Sequence, residues 1–203
     1  MTTGVNPRRN VRRQAILNAA EALFLEQGFE RVSVNAIVRR SGGSLATFYD
    51  MFGNKHGLLR AVVDQAIDEE LRGIEDVDSE GAPPAETLRK LALRYYAFAT
   101  MPRMLALMRL VIGQSLADPA FGNQFNDDLE WRFSKLLEET FTRWTAEGKA
   151  RIDAPREAAD LYFAMVMCNV AFHAMFGIAP PPTDVDAIER RLAPFISHYG
   201  IAS

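Results

Sequence analysis

Cysteine and histidine are scarce in this 203-residue chain, which contains one cysteine and three histidines. A single cysteine excludes a disulfide framework within the chain and fits a reducing compartment. His56, His173 and His198 have no carboxylate or cysteine at ligand spacing, so we expect no metal site. Cys168 lies in an apolar segment without a basic neighbour, which is typical of a buried structural thiol. We therefore expect neither an enzyme nor a cofactor.

Long apolar runs are also missing. No uninterrupted run reaches the ~20 residues that a membrane span needs. Residues 160–178 come closest, but Asn169 and His173 interrupt them. The N-terminal sequence MTTGVNPRRNVRR carries charges without the apolar core of a signal peptide. We expect a soluble, cytoplasmic protein with no membrane partner.

Strand patterns are absent, and helical patterns are frequent. Strict alternation of apolar and polar residues never lasts more than four residues, whereas apolar residues recur at helical spacing from Val11 onwards. The hydrophobic fraction of 48% is ordinary for a globular chain. The sequence predicts an all-α fold of about nine helices.

Charge is distributed unevenly along the chain. The net charge is −3, but residues 1–60 contain nine Lys or Arg and only four Asp or Glu, a net +5, while residues 61–203 carry −8. A basic head on an acidic body is expected when one end meets a polyanion. The alternative is a solvated face of the first helix. Residues 1–10 are predicted to be a flexible basic arm, which Arg12 and Arg13 continue.

Two short amphipathic segments lie within this basic head. Ser33 and Ser44 are suitable N-caps for helices that end near Arg40 and Met51, with a Ser41-Gly42-Gly43 turn between them. Helices of about two turns bury little surface alone, so they need the first helix as support. The pattern predicts a three-helix head with a helix-turn-helix.

A further, long helix is predicted to begin after Asn54 with Lys55 and His56 in its first turn. Cations are unfavourable there because the helix macrodipole is positive at that end. A helix N-terminus with a lysine is, however, a good anion site. The alternative is a solvated lysine. Arg39 and Arg40 lie beside the glycine turn and add positive potential.

Residues 12–60 resemble the DNA-binding head of the TetR family of transcriptional regulators. The segments RRQAILNAAEALFLEQGFERVSV, IVRRSGGS and TFYDMFGNKHGLL carry the resemblance. It implies that the segment from Ser44 to Tyr49 is the recognition helix, in which Leu45, Ala46 and Thr47 face base edges. Tyr49 and Ser33 would bind phosphates, and Lys55 with its helix N-terminus would clamp another. The predicted DNA-binding residues are Ser33, Arg39, Arg40, Ser44, Leu45, Ala46, Thr47, Tyr49, Lys55 and His56.

Residues 100–178 show a weaker resemblance to the C-terminal domain of AefR-like regulators in the same family, carried by RLVIGQSLADPAF and EGKARIDAPREAADLYFAMV. The segment Leu161–Phe176 is apolar all round and must be covered on both sides. The resemblance implies that one side packs, with the last helix, on a partner subunit and that the other lines a ligand cavity. The residues expected there are Phe98, Leu105, Met108, Phe125, Phe133, Met165, Asn169, Phe172 and His173, for which plain core is the alternative.

These observations predict a DNA-binding domain over residues 1–55 and a ligand-binding and dimerisation domain over residues 56–203, joined by the helix that starts near residue 54. The acidic, turn-rich segment 73–84 is the predicted boundary between head and body. Asp153 is predicted to cap a helix that runs to Phe176, and Pro194 to kink or break the last helix. The expected function is that of a homodimeric repressor, paired through its last two helices and released from a palindromic double-stranded DNA operator by an apolar small molecule. One alternative is a helical ligand-binding protein without a DNA role. Another is a family member that activates transcription or organises DNA.

Overall fold

Helices account for most of the described chain. The computed structural model describes residues 7–79 and 82–202, except for the side chains of residues 70–79, 127–133 and 168. Within these residues there are nine helices and no strand, which confirms the predicted all-α fold. The helices are α1 (Pro7–Gln27), α2 (Val34–Ser41), α3 (Leu45–Phe52), α4 (Lys55–Ser79), α5 (Pro84–Ala99), α6 (Pro102–Ala117), α7 (Pro119–Ala146), α8 (Pro155–Phe176) and α9 (Val185–His198).

Proline and aspartate determine where the later helices begin. Proline is suited to the first helical position because its missing N–H is not needed there and its φ angle is already helical. Asp118 adds a side-chain cap to α7, since its Oδ1 accepts a hydrogen bond from Ala120 N at 3.1 Å. Asp184 caps α9 by accepting one from Ala187 N at 2.7 Å. The helices with proline at their first position include α5, α6, α7 and α8.

Two helices extend further than the sequence predicts. α1 begins at Pro7 rather than near Val11, so residues 7–10 of the predicted flexible arm are helical. α4 continues to Ser79 through most of the turn-rich segment 73–84 that was predicted to link head and body. A single glycine costs a helix only about 1 kcal/mol, and no proline interrupts this segment before residue 83.

Two predicted helix signals act differently in the structure. Ala154, and not Asp153, occupies the N-cap position of α8, and it makes no side-chain cap. Pro194 was expected to kink or break the last helix, but α9 runs through it to His198. Pro194 is exposed, so the helix loses one backbone hydrogen bond without forcing the proline ring into a packed core.

The chain forms two compact units, residues 1–69 and residues 70–203, which divide within α4. The predicted domain limit lay earlier, between residues 55 and 56. In the first unit, α2 buries Ile37 and Val38, and α3 buries Phe48 and Phe52. Each short helix thus contributes two buried side chains, in agreement with the expectation that neither is stable without α1.

The second unit is centred on aromatic packing between its helices. The Phe195 ring of α9 lies 5.9 Å from the Phe141 ring of α7 and 5.7 Å from the Tyr162 ring of α8. Tyr162 is fully buried, and its hydroxyl donates a 2.6 Å hydrogen bond to Leu88 O. Burial, with Tyr95 nearby, raises the pKa of Tyr162 well above its ordinary value. Its contribution to stability is therefore present below about pH 10 and declines as the pH rises further.

No single helix in the described ranges is long and apolar enough to span a membrane. The two parts of α8, Pro155–Met167 and Asn169–Phe176, pass that test only when taken together, and they are bent by 50° to each other.

Candidate functional site

Serine side chains close the first turns of both short helices. Ser33 Oγ accepts a hydrogen bond from Ala36 N at 3.2 Å at the start of α2. Ser44 Oγ accepts one from Thr47 N at 3.1 Å and lies 2.9 Å from Thr47 Oγ1 at the start of α3. Both serines have extended backbone angles and are exposed, as N-cap residues of surface helices should be.

α3 has one anchored face and one open face. Phe48 is fully buried and Phe52 is nearly so. Leu45 and Tyr49, one turn apart, are 42% and 52% exposed, and Ala46 beside them is also exposed. The open face therefore presents a leucine, an alanine and a tyrosine hydroxyl to an incoming surface.

The turn between α2 and α3 is held by α1. Gly42 has φ +70°, a left-handed conformation that favours glycine, and Gly43 N donates to Val38 O at 3.1 Å. Arg12 of α1 donates from Nη1 to Gly42 O at 2.7 Å and to Ser41 O at 3.3 Å. The cation also suits the negative end of the α2 macrodipole. Arg12 thus links α1 to the turn of the helix-turn-helix.

Two further arginines of α1 reach α3. Arg9 Nη2 lies 3.2 Å from Asp50 Oδ2, and the guanidinium of Arg13 lies 5.8 Å from the Phe52 ring centroid. The sequence predicted that Arg9, Arg12 and Arg13 belong to a flexible basic arm, so their contacts with the helix-turn-helix were not expected. The signal was present, because positions 9, 12 and 13 share one helix face once α1 begins at Pro7.

The two arginines of α2 differ in their contacts. Arg40 makes a two-pronged contact with Glu26, with N–O distances of 2.8 and 3.0 Å. The hydrogen bond from Arg40 lowers the pKa of the Glu26 carboxyl. Arg39 is exposed and has no hydrogen-bond or ion-pair partner among the described residues. Of the pair, Arg39 is the one whose charge is available to an anion.

Lys55 and His56 both turn towards the loop between α1 and α2. Lys55 Nζ donates to Phe29 O at 2.9 Å and to Val32 O at 3.2 Å, and it lies 4.2 Å from the Phe29 ring centroid. The His56 ring stacks on the same Phe29 ring, with centroids 5.1 Å apart. The prediction placed the lysine ammonium on a DNA phosphate. In the structure it is half-buried on backbone carbonyls, which explains how a cation is tolerated at this helix start.

Lys55→Met is expected to lower the free energy of unfolding of the first unit by about 1.5–3 kcal/mol, because two hydrogen bonds from a charged group are lost. Urea denaturation followed by circular dichroism measures the change. Lys90→Met is the matched control, since Lys90 pairs with Glu86 on an exposed helix surface and such pairs contribute less than about 1 kcal/mol. Unchanged stability together with weaker, less salt-dependent DNA binding would instead assign the Lys55 side chain to a phosphate.

An open cavity of about 850 Å³ lies within the second unit, between α5, α6 and residues 177–183 of the α8–α9 loop. The Tyr96 hydroxyl donates to Pro181 O at 2.5 Å and so attaches this loop to α5. Burial raises the pKa of the Tyr96 hydroxyl, and the Arg191 charge over its ring acts weakly in the opposite direction. The cavity is of the size that small-molecule sites have.

The nine residues predicted to line a ligand cavity are scattered in the structure. Leu105 lines the cavity described above, and Phe133 lies among the side chains outside the described residues. Phe125 is buried against Phe121, with ring centroids 6.1 Å apart. The half-buried side chains that do not line this cavity are Phe98, Met108 and Met165.

The predicted polar pair of α8 also lies outside this cavity. His173 Nδ1 is 2.6 Å from the carbonyl oxygen of Asn169, one turn earlier in the same helix. Asn169 is exposed, and Phe172 between them is 58% exposed. The helical period places one face of the end of α8 towards solvent in the single chain, and these residues belong to it or border it.

The exposed end of α8 is strongly apolar. Phe172, Met175 and Phe176 are each more than half exposed and share a face, because they stand at spacings of three and four. Ile178 and Val185, which follow in the loop and at the start of α9, are exposed to a similar extent. Exposed apolar surface of this kind is typical of interaction surfaces.

Two family descriptions match the chain. Residues 16–62 match the family described as bacterial regulatory proteins, tetR family. Residues 86–201, more than half of the chain, match the family described as AefR-like transcriptional repressor, C-terminal domain. The chain belongs to the TetR family. Both resemblances inferred from the sequence motifs are thereby confirmed.

Two curated TetR-type relatives from Escherichia coli (strain K12) are similar over part of their length. HTH-type transcriptional repressor ComR is 43% identical over 56 residues, which cover 28% of this chain and 27% of ComR. HTH-type transcriptional repressor BdcR is 33% identical over 93 residues, which cover 44% of this chain and 47% of BdcR. The chain therefore matches less than half the length of either relative.

Solved structures match over nearly the whole chain. A TetR-family transcriptional regulator from Mesorhizobium loti MAFF303099 has a TM-score of 0.80 and 25% identity, covering 97% of this chain and 100% of that one. The regulator FadR from Bacillus subtilis, solved in complex with stearoyl-CoA, has a TM-score of 0.65 and 20% identity, covering 91% and 97%. At this identity, the likeness to FadR shows only that the two proteins share a fold.

These TetR-family comparisons agree with the prediction that the chain is not an enzyme, because the matched proteins are transcriptional regulators. The roles assigned to individual DNA-binding and ligand-binding residues stay predictions.

Proposed function

We propose that this TetR-family chain is a transcriptional repressor that places α3 in the major groove of DNA and is released by a small molecule. The observation that carries the DNA-binding role is the open face of α3, which is held from behind by buried aromatics and from the side by α1. Leu45 and Ala46 on that face can contact a thymine methyl group, and Thr47 can reach a base or a phosphate.

Phosphate contacts would come from the groups that surround this face. The Tyr49 hydroxyl and the Ser33 side chain are exposed, and Arg39 supplies a charge that no described residue neutralises. Arg40 is available only when its pair with Glu26 opens. Lys55 and His56 act in this proposal by holding the N-terminus of α4, whose backbone N–H groups then face a phosphate. Most of these contacts set the position of the protein and do not read the sequence.

The apolar end of α8 and the start of α9 would form the dimer interface. A homodimer with a two-fold axis places two recognition helices in successive major grooves, about 34 Å apart, on a palindromic operator. Exposed aromatic side chains of Phe172 and Phe176 are suited to such an interface, because aromatic residues are enriched in the buried centres of interfaces.

Release by an effector requires two conformations that bind DNA with different affinity. An effector shifts the equilibrium only by its difference in affinity for the two states. Among proteins of similar fold are the flavonoid-responsive regulator FrrA and FadR in complex with stearoyl-CoA, whose acyl chain is apolar. For this chain we propose an apolar effector that binds in the second unit. We also propose that the protein is located in the cytoplasm.

A fluorescence anisotropy titration with DNA from upstream of the chain's own gene tests the function. We expect binding whose affinity falls steeply with salt concentration, since Lys and Arg contacts release counterions from DNA. Absence of binding at low salt would favour the alternative of a helical ligand-binding protein without a DNA role. Reporter expression that falls when the protein is removed would indicate an activator.

Tyr49→Phe is expected to weaken binding to specific and non-specific DNA alike, by roughly tenfold, because one hydrogen bond to a charged phosphate is lost. Stability should not change, since the Tyr49 side chain is exposed and the tyrosine ring is retained. Tyr199→Phe, which removes a hydroxyl in the second unit, is the control and should leave DNA affinity unaltered. A loss of affinity confined to the specific operator would contradict the phosphate assignment.

A further inference from the structure

The cavity between α5, α6 and the α8–α9 loop combines apolar walls with a cation that no described carboxylate neutralises. Leu93 and Ala97 of α5, Leu105 of α6 and three consecutive prolines of the loop supply most of the walls. Tyr96 and Leu105 belong to a buried cluster with Val170 of α8, which makes this side of the cavity rigid. The shape is thus set by packed helices on one side and by a proline-rich loop on the other.

Among the residues that the structure describes, Arg109 is the charged residue of the cavity wall, and no acidic side chain lines it. Its Nε donates to Ala174 O at 3.3 Å, which fixes the orientation of the guanidinium. Among the described residues, Arg109 has no carboxylate partner, so its two terminal nitrogens remain available as donors. A guanidinium held in this way offers two parallel N–H groups, which match the two oxygens of a carboxylate.

The other polar groups of the wall are neutral, so they do not favour a second charge on the ligand. The Tyr96 hydroxyl is already engaged with Pro181 O. Thr183 Oγ1 is buried and has no hydrogen-bond partner in the described structure, so it is a neutral group that a small shift of the loop would bring to a ligand. One cation, neutral polar groups and apolar walls together match a ligand with one negative charge and an apolar body.

We infer that this cavity binds a carboxylic acid with an apolar aliphatic or aromatic body, with the carboxylate on Arg109 and the body against Leu93, Ala97 and the loop prolines. This inference rests on the proposed effector-controlled function and names the ligand class of that function. A volume of about 850 Å³ accommodates a medium-sized acid. The ligand contacts the loop that joins α8 to α9, so its binding is linked to the two helices of the proposed dimer interface.

Isothermal titration of the full-length protein with decanoate, decanamide and decyl phosphate tests the inference. We expect decanoate to bind about tenfold or more tightly than the neutral amide, because the amide cannot make the charge-assisted pair. Decanamide binding as tightly as decanoate would overturn the inference. Tighter binding of decyl phosphate would also overturn it, by assigning the site to phosphate amphiphiles.

Two variants and a control place the ligand in this cavity. Arg109→Gln should weaken the binding of decanoate about tenfold and leave the binding of decanamide unchanged. Arg190→Gln, at an exposed position of α9, should change the binding of neither compound. Ala97→Trp replaces an exposed residue of the wall with a bulky one and should abolish binding of both compounds. Decanoate binding that survives both Arg109→Gln and Ala97→Trp in folded protein would show that the acid binds elsewhere.

DNA anisotropy with and without decanoate separates this inference from the proposed function. Arg109-dependent binding of the acid without a change in DNA affinity supports the ligand class and contradicts the effector role. Release of DNA by neutral apolar compounds, with no Arg109-dependent binding of acids, supports the proposed function and overturns the ligand class.

Discussion

Replacing Phe172 with glutamate is expected to convert the proposed dimer into monomers and to abolish tight binding to a palindromic operator. Phe172 is 58% exposed in the single chain and shares its face with Met175 and Phe176, so a partner would cover all three. A carboxylate buried there without a partner costs several kcal/mol. Losing the second half-site removes a gain in apparent affinity of about 10²–10⁴ that comes from two linked contacts. Light scattering after size exclusion measures the mass, and anisotropy measures operator binding.

Leu116→Glu is the matched control for this experiment. Leu116 is 81% exposed near the end of α6, in the same unit but on a different helix from Phe172. The control should remain dimeric and should bind the operator as the unchanged protein does. A Phe172→Glu protein that is still dimeric, or a Leu116→Glu protein that is monomeric, would move the interface away from the end of α8.

Phe48→Ala is expected to unfold the first unit and so to eliminate DNA binding. Phe48 is fully buried, and removing such a phenylalanine costs about 3–5 kcal/mol. A unit of about 70 residues has little more stability than this in total. Both tryptophans, Trp131 and Trp144, lie in the second unit. Tryptophan fluorescence therefore reports on the unfolding of the second unit. We expect the helical circular dichroism signal to decrease while the urea transition seen by tryptophan fluorescence is retained.

Phe48→Leu is the conservative partner of this variant. It retains an apolar side chain at the same position and should cost less than about 1.5 kcal/mol, with DNA binding preserved. If Phe48→Ala kept its full helical signal and its operator affinity, the packing of α3 against the core of the first unit would not be what positions the recognition helix.

Local sequence signals placed most of the helices correctly. Prolines at first helical positions, serine and aspartate caps and the Gly42 turn depend on residues within four positions of one another. Where the prediction was wrong, it gave too much weight to helix-breaking residues: the turn-rich segment that starts at Gly73 does not end α4, and Pro194 does not break α9. Packing of the rest of a helix can compensate for one unfavourable residue, and sequence patterns do not show that packing.

The candidate site was only partly visible in the sequence. The open face of α3 follows from the helical period, since burying Phe48 and Phe52 exposes Leu45 and Tyr49. The hydrogen-bond acceptors of Lys55 do not follow from the helical period. Charge and position at a helix start suggested an external anion, whereas the carbonyls of Phe29 and Val32, more than twenty residues earlier, accept its hydrogen bonds.

The sequence by itself determined that this chain is all-helical, that it begins with a basic helix-turn-helix and that it belongs to the TetR family, because caps, periodicity and motifs are properties of neighbouring residues. Only the tertiary structure decided which side chains hold the recognition helix and where the cavity lies. Arg12 and Gly42 are 30 positions apart, and Tyr96 and Pro181 are 85 positions apart. Contacts over such separations depend on how whole helices pack, and the periodicity of any one helix does not contain that information.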